Sequence, residues 1–194
     1  MPTLPNNAFL ALMPDDATLD RLCAVTDRLK QWDLPATWSH ADDLHLTAVY
    51  LGTPDDEELA QIPAAIAEVA EAVRVADLRL AGLAATGGTT EPRAVFAVVA
   101  DPDEQCRSLH QDLVDCLEMP ANPQFQPHIT LCRPGRLDAR AAAKLPLYRD
   151  WPHLLEAHVG ADWGPCTFDR LALCRSVDNR VPRYVEVTSW PVHR

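Results

Sequence analysis

Two short segments of the sequence carry the same triplet of histidine, branched aliphatic residue and threonine. They are residues 44–47 (LHLT) and residues 127–130 (PHIT). With seven His and twelve Thr, chance predicts only about 0.4 His-x-Thr triplets in this chain, whatever the central residue. Because residues i and i+2 share one face of a strand, each triplet is expected to present an imidazole beside a hydroxyl while its aliphatic centre points to the core.

Two such triplets that face each other would provide the groups that phosphoester cleavage needs. Histidine titrates near neutral pH, so one imidazole can activate the attacking oxygen while the other protonates the leaving oxygen. Threonine hydroxyls can hold the non-bridging phosphoryl oxygens as charge builds in the transition state. The expected catalytic residues are therefore His45 and His128, with Thr47 and Thr130 as phosphate-binding residues and no metal or cofactor.

The elements around the triplets follow one order twice. A strand at 8–13 leads to a helix opened by Asp15 and then to a strand at 45–51, while a strand at 94–100 leads to a helix opened by a capping box at 101–104 and then to a strand at 128–132. Phe9 precedes His45 by 36 residues, and Phe96 precedes His128 by 32. This pattern predicts an internal duplication whose approximate twofold axis would place the triplets across one groove.

The remaining segments complete the second half without a linker, which predicts one domain over 1–194. A helix from about 55 to 74 is expected to kink or split at Pro63, and strands are expected at 75–83 and 93–100 around a turn-rich loop. A helix at 137–145 and strands at 167–173 and 184–188 are expected to follow. Asp15 favours a helix start at that position, and residues 53–56 (TPDD) offer an N-cap at Thr53, a first-turn proline and acids that complement the helix dipole.

Charge changes along the chain. The whole protein has 17 basic and 28 acidic residues and a net charge of −11, which disfavours binding to a long polyanion. Residues 1–97 hold six basic and fifteen acidic side chains (net −9), whereas residues 98–194 hold eleven and thirteen (net −2). The later basic residues fit either a solvated surface or a small anion site; they are Arg133, Arg136, Arg140, Lys144, Arg149, Arg170, Arg175, Arg180 and Arg183.

The cysteines and the apolar segments indicate an ordinary globular protein. The six cysteines form no C-x-x-C pair, so reduced core thiols are expected rather than a zinc ribbon or a disulfide framework. The apolar run at 8–13 is too short to span a membrane or to serve as a signal peptide. A cytoplasmic location, no membrane association and a monomeric state are expected.

With these motifs the chain resembles the two-histidine (2H) phosphoesterase superfamily, and specifically the RNA 2',3'-cyclic phosphodiesterases, also called 2'-5' RNA ligases. The resemblance rests on residues 9–12 (FLAL), the two triplets, residues 51–52 (LG), and residues 182–184 (PRY) through 190–191 (WP). It implies a bilobal α+β fold with antiparallel sheets around a central cleft, the lobes being approximately residues 1–92 and 93–194. It also implies hydrolysis of a terminal 2',3'-cyclic phosphate on RNA ends or small nucleotides to a 2'-phosphate, with a weak reverse ligation.

The resemblance also implies a role for each site residue. His45 corresponds to the general acid toward the departing 3' oxygen, and His128 to the base for water, although the pseudo-symmetry makes the two interchangeable by sequence. Thr47 and Thr130 correspond to phosphate-binding residues. Arg133 matches the arginine that commonly follows the second triplet.

Other residues are expected to be structural or at the surface. Val49 stands where many members of the superfamily carry a basic residue, which leaves cationic help to the second half. Arg136 is as consistent with surface solvation as with a site, and Phe9 and Tyr50 are expected in the core rather than stacked on a base. The histidines outside the triplets are expected to be surface or structural residues: His40, His110, His153, His158 and His193.

Three alternative functions remain open at the level of sequence. The first is a module that binds RNA ends or nucleotides without turnover, which the two intact histidines disfavour. The second is a metallohydrolase that adds Asp42 or Asp43 to the histidines, although no metal-ligand spacing such as H-E-x-x-H is present. The third is a 2H phosphoesterase whose substrate is a small cyclic phosphate, such as a cyclic nucleotide or an ADP-ribose derivative.

Overall fold

The computed structural model describes residues 7–135 and 150–193. Within them lie nine strands: β1 (Ala8–Pro14), β2 (Ala36–Trp38), β3 (Leu46–Gly52), β4 (Leu78–Thr86), β5 (Ala94–Ala100), β6 (His128–Pro134), β7 (Asp162–Cys166), β8 (Phe168–Ser176) and β9 (Tyr184–Pro191). The same ranges hold five α-helices: α1 (Asp16–Lys30), α2 (Asp56–Ala65), α3 (Ala67–Ala72), α4 (Gln105–Cys116) and α5 (Trp151–His158). The helix expected at 137–145 lies outside the described residues.

The strands form one antiparallel sheet in the order β7-β4-β5-β6-β3-β1-β8-β9, with β2 attached to β6. Two halves of four strands meet where β3 pairs with β6 through Leu46 and Ile129. Helix α1 contacts β1 and β7, helix α4 contacts β3, and helix α5 contacts β4. The predicted α+β class, with antiparallel strands in two joined lobes, is confirmed.

The two sequence halves exchange strands, which differs from the expected division into lobes 1–92 and 93–194. Strand β4 belongs to the first half of the sequence but pairs with β5 and β7 of the second half. Strand β8 belongs to the second half but pairs with β1. Each half of the sheet is therefore completed by a strand from the other half of the sequence.

Side chains alternate between the two faces of β1, as the period of a strand requires. Leu10 and Leu12 are fully buried in the main core beneath the helices, whereas Phe9 and Ala11 belong to a small cluster on the opposite face. Leu46 and Ile129 also lie in the main core. The side chains on the same face of β1 as Phe9 therefore point away from the main core.

The first helix begins as the sequence predicts, and the second begins after Asp55, two residues later than the expected N-cap at Thr53. The Asp15 carboxylate accepts a hydrogen bond from the amide of Thr18 at 2.9 Å and caps α1. Asp55 caps α2 and forms a capping box with Glu58. Helix α2 continues through Pro63 to Ala65, and the helical segment divides at Ile66, between α2 and α3, rather than at the proline.

Helix α4 differs from its prediction at both ends. No side chain of residues 101–104 forms a capping box; instead the Asp101 carboxylate accepts from the amides of Gln105 and Cys106 at 2.9 and 2.8 Å. Cys116, expected to be a core thiol, is exposed, and the buried residues of α4 include His110. Strands β2 and β7 and helix α5 had no prediction, since they are short and β7 contains glycine and proline.

All six cysteines are free thiols, as expected, and four of them are buried: Cys106, Cys132, Cys166 and Cys174. Burial raises the pKa of Cys132, Cys166 and Cys174 to about 12, so these thiols stay protonated at neutral pH. No helix in the part of the chain that the structure describes is long and apolar enough to cross a membrane.

Candidate active site

The pairing of Leu46 with Ile129 brings the two triplets side by side. In an antiparallel ladder the neighbours of a pair are also opposite each other, so His45 lies across from Thr130, and Thr47 lies across from His128. Leu46 and Ile129 point into the core. The residues on either side of them therefore project from the opposite face, into the groove.

His45 is enclosed by hydrogen bonds and aromatic rings. Its Nδ1 donates to the carbonyl oxygen of Asp43 at 2.7 Å, so its Nε2 accepts from the Thr47 hydroxyl at 3.1 Å. Phe9 stacks on one face of the imidazole with 4.7 Å between ring centroids, and Tyr184 lies perpendicular to the imidazole with 5.1 Å between ring centroids. The aromatic contacts fix the ring plane and the hydrogen bonds fix its tautomer.

Burial lowers the pKa of His45 below its ordinary value, because an imidazolium loses hydration in this enclosed position. The carbonyl hydrogen bond and the negative charge of Asp43 oppose this shift, while the positive charge of a protonated His128 adds to it. In the free protein the neutral imidazole of His45 is thus favoured over the charged form.

His128 has equivalent contacts in the second half of the sheet. Its Nδ1 donates to the carbonyl oxygen of Gln126 at 2.7 Å, and Phe96 from the neighbouring strand lies 4.5 Å from its ring. In each half the carbonyl comes two residues before the histidine and the phenylalanine from an adjacent strand. The repeated spacing of Phe9 with His45 and of Phe96 with His128 therefore corresponds to two equivalent ring contacts.

The side chains line two adjoining cavities. One, of about 240 Å³, is lined by four of the five predicted site residues: His45, Thr47, Thr130 and Arg133. The other, of about 410 Å³, is lined by Thr47 and by the fifth, His128. Thr47 lines both cavities, and His128 lines the larger one.

Arg133 and Arg183 supply positive charge to the smaller cavity. Neither guanidinium forms an ion pair within residues 7–135 and 150–193, whereas Arg170 bonds Asp169 and Glu186. Arg175 likewise pairs with Asp56 at 3.0 Å. The basic residues near the C-terminus thus divide between surface ion pairs and the groove.

Of the other basic residues, Arg136, Arg140, Lys144 and Arg149 lie outside the described residues. Arg180 is exposed.

The sequence missed two residues that organise the cavity. The Asp43 carboxylate accepts from the amides of Arg183 and Tyr184 at 2.9 and 3.0 Å and so ties the start of β9 to the segment before His45. The Ser39 hydroxyl donates to the carbonyl oxygen of Thr130 at 2.9 Å. The motif PRY at 182–184 was a signal for Tyr184, but nothing in the sequence linked it to Asp43.

Two expectations about the first triplet change. Val49 is buried in the core, and the residue that matches Arg133 by position, five after its histidine, is Tyr50. Tyr50 was expected in the core, but 57% of it is exposed, and its hydroxyl donates to the Asn7 side chain at 2.7 Å. Phe9 is buried, as expected.

The acidic residues considered as metal ligands have other partners. The Asp42 carboxylate lies 3.6 Å from His40, and that of Asp43 binds the two amides at the start of β9. Among residues 7–135 and 150–193, no three or more His, Cys, Asp or Glu side chains are grouped so that they could hold a metal ion.

The fold is similar to that of solved proteins over nearly the whole chain. A Thermus thermophilus protein, TT0787, matches with a TM-score of 0.70 at 20% identity, covering 96% of this chain and 97% of its own. E. coli LigT in its apo form matches with a TM-score of 0.65 at 18% identity, covering 99% and 100%. At these identities the likeness concerns the fold.

Sequence comparisons identify the family. The chain is 33% identical over 162 residues to an RNA 2',3'-cyclic phosphodiesterase of Geobacillus stearothermophilus, a match that covers 80% of this chain and 48% of the relative. The chain thus spans about half the length of that curated relative. Residues 18–180, which include both triplets and most of the strands that position them, match the 2'-5' RNA ligase superfamily, and the chain belongs to this superfamily of 2H phosphoesterases.

Proposed function

We propose that the protein is an RNA 2',3'-cyclic phosphodiesterase that hydrolyses a terminal 2',3'-cyclic phosphate to a 2'-phosphate. The observation that carries the proposal is the register of β3 against β6, since it sets two histidine-threonine pairs on one face around Leu46 and Ile129. Membership of the superfamily and the name of the Geobacillus relative support the same activity.

In the proposed reaction both imidazoles act through Nε2. His128 removes a proton from water as the water oxygen bonds to phosphorus, and the bond between phosphorus and the 3' oxygen breaks. His45 gives a proton to that departing oxygen. The Nδ1 hydrogen bonds to the carbonyls of Asp43 and Gln126 support these roles, because they leave Nε2 as the nitrogen of each ring that can exchange a proton. The Nε2 of His45 also contacts the Thr47 hydroxyl, one of the proposed phosphate-binding groups.

The environments of the two rings favour His45 as the acid and His128 as the base. The lowered pKa of His45 makes its protonated form a stronger acid toward the leaving oxygen. A bound phosphodiester anion would offset the loss of hydration and restore the protonated fraction. His128 faces the larger cavity, through which water can reach it.

The hydroxyls and Arg133 are proposed to hold the phosphoryl group. Thr47 and Thr130 lie diagonally about the Leu46 and Ile129 pair, so they can contact different non-bridging oxygens. Arg133 lines the same cavity and has its charge available for the anion. Such contacts strengthen as charge builds in the transition state.

The proposed substrates are RNA ends or small nucleotides that carry a 2',3'-cyclic phosphate. With a 5'-hydroxyl in place of water, the same groups would carry out a weak ligation. The 5' oxygen loses its proton to His128 and bonds to the phosphorus of the cyclic phosphate, the bond to the 3' oxygen breaks, and that oxygen takes a proton from His45, which leaves a 2'-5' linkage. A cytoplasmic location and a monomeric state stay predictions from the sequence.

Phosphorus NMR of an oligonucleotide that ends in a 2',3'-cyclic phosphate tests the proposal. The cyclic signal is expected to convert to that of a 2'-phosphomonoester when the protein is added. A 3'-phosphate product would contradict the proposed bond cleavage, and unchanged ligand that still binds would indicate the non-catalytic module.

Two further measurements test the metallohydrolase and the small cyclic phosphate as alternatives. Turnover is expected to persist in a chelator because two imidazoles supply the acid and the base, and its loss would favour the metallohydrolase. Comparison of the oligonucleotide with a 2',3'-cyclic mononucleotide distinguishes an RNA end from a small cyclic phosphate as the preferred substrate.

A further inference from the structure

A buried histidine outside the catalytic pair, His110, lies between β3 and the loop that leads to His128. It is 7% exposed and sits on the face of α4 that contacts β3. A polar ring buried among apolar side chains destabilises the fold unless its nitrogens find partners. The partners of His110 show what it connects.

Both ring nitrogens of His110 are bonded to backbone groups of different segments. Nδ1 donates to the carbonyl oxygen of Ala48, the residue after Thr47, at 2.7 Å. Nε2 accepts from the amide of Asn122 at 3.0 Å. Since a carbonyl can only accept and an amide can only donate, the proton of the ring is on Nδ1.

The loop held by His110 supplies the carbonyl that orients His128. Phe125 stacks on His110 with 4.4 Å between ring centroids and an interplanar angle of 6°. The carbonyl of Phe125 accepts from the Arg107 side chain at 2.7 Å. The next residue, Gln126, accepts the Nδ1 proton of His128 at 2.7 Å.

We propose that His110 is a positioning residue for His128. It fastens the loop at 122–126 to β3, so that the carbonyl of Gln126 stays within reach of Nδ1 and the Nε2 of His128 faces the groove. The first half solves the same problem differently, because the Asp43 carboxylate anchors the segment whose carbonyl orients His45.

Two substitutions separate the two hydrogen bonds of the ring. In His110→Gln the side-chain oxygen is near the position of Nε2 and can accept from Asn122, which keeps the loop in place. In His110→Asn the side-chain nitrogen is near the position of Nδ1 and can donate to Ala48, but the loop amide loses its acceptor. Both variants lose the ring that stacks on Phe125.

The kinetic part of the test rests on the proposed phosphodiesterase activity. His110→Asn is expected to lower kcat by about 10-fold to 100-fold with a change in KM of no more than about threefold, because the base is misoriented while phosphate binding persists. His110→Gln is expected to retain a kcat at least about fivefold above that of His110→Asn. Equal losses in the two variants would overturn the inference.

A spectroscopic readout tests the inference without substrate. Nitrogen NMR of labelled histidine is expected to show the Nδ1-protonated tautomer of His128 in the parent and in His110→Gln, and a mixture of both tautomers in His110→Asn. An unchanged His128 tautomer in folded His110→Asn would overturn the inference. A parent protein without turnover would instead count against the proposed function and leave this readout intact.

A control and a substitute complete the design. His158→Asn alters a histidine whose Nδ1 bonds Leu154 within its own helix, and it is expected to change neither kcat nor the His128 tautomer. If His110→Asn does not fold, Phe125→Leu replaces it, since this change removes the stacked ring that holds the loop. A smaller fall in kcat and a partial tautomer mixture are expected there, and parental values of both would contradict the proposal.

Discussion

Leu46 of β3 and Ile129 of β6 are register partners at the junction between the two halves of the sheet. Their side chains contribute to the core, and the residues on either side of them line the groove. One backbone pairing thus determines the positions of four polar side chains at once. A slip of one residue would turn the histidines and threonines into the core and bring the aliphatic residues out.

Replacement of either proposed catalytic histidine by alanine is expected to lower kcat about 10²-fold to 10⁴-fold, the usual contribution of a positioned acid or base. Steady-state hydrolysis of a cyclic-phosphate substrate measures this for His45→Ala and His128→Ala, with circular dichroism as the check on folding. His158→Ala serves as the control. Parental rates in both folded variants would exclude catalysis by these residues.

The pH profile of kcat/KM is expected to be bell-shaped, because one imidazole must be protonated while the other is neutral. The limb due to His45 should lie on the acidic side of the ordinary histidine range, since burial lowers its pKa. Rates measured across the range in buffers of constant ionic strength give the two limbs. A steady rise into alkali would be incompatible with the acid and base pair.

Folding stability is expected to depend on pH through His45. Its pKa is lower in the folded chain than the value of about 6.5 in the unfolded chain, so between these values the unfolded state binds more protons. The contribution of neutral His45 to the free energy of unfolding is therefore fully present above about pH 6.5, and this contribution is lost as the pH falls through the pKa that His45 has in the folded chain.

Urea unfolding of the parent and of His45→Gln measures this contribution, because glutamine does not titrate. The parent should lose more free energy of unfolding than the variant between about pH 7.5 and about pH 5. Parallel losses in the two proteins would mean that other groups cause the acid sensitivity.

Arg133→Ala is expected to weaken binding of the phosphate or the transition state and to lower kcat/KM by about 10-fold or more, the effect of one lost charge-assisted contact. Inhibition by inorganic phosphate should weaken in parallel. Arg175→Ala is the matched control, since that arginine pairs with Asp56 at the surface. Kinetics equal to those of the parent would assign Arg133 to surface solvation.

Asp43→Ala is expected to reduce the free energy of unfolding by about 1 kcal/mol, because two backbone amides at the start of β9 lose a charged acceptor. It should also lower kcat, since Tyr184 packs against His45. Asp42→Ala removes a neighbouring carboxylate that is 64% exposed and should alter neither quantity. If the two variants behave alike, the carboxylate of Asp43 does not organise the site.

The face of the sheet that carries the candidate site could be predicted from local sequence. A period of two along a strand is a local property, so the triplets fixed which side chains share a face, and their repetition indicated two equivalent halves. The helix start at Asp15 was readable for the same reason, because a capping side chain acts on amides within one turn. The second helix is capped by Asp55 rather than by Thr53, the residue expected from the sequence.

The surroundings of the two histidines depend on contacts between segments that are distant in sequence. The contacts of Asp43 with the start of β9 and of His110 with β3 and the loop before His128 join residues that are far apart in sequence. The exchange of β4 and β8 between the halves is equally non-local. Such pairings depend on how the whole sheet closes, whereas periodicity and capping act between neighbours along the chain, which is why no local pattern revealed them.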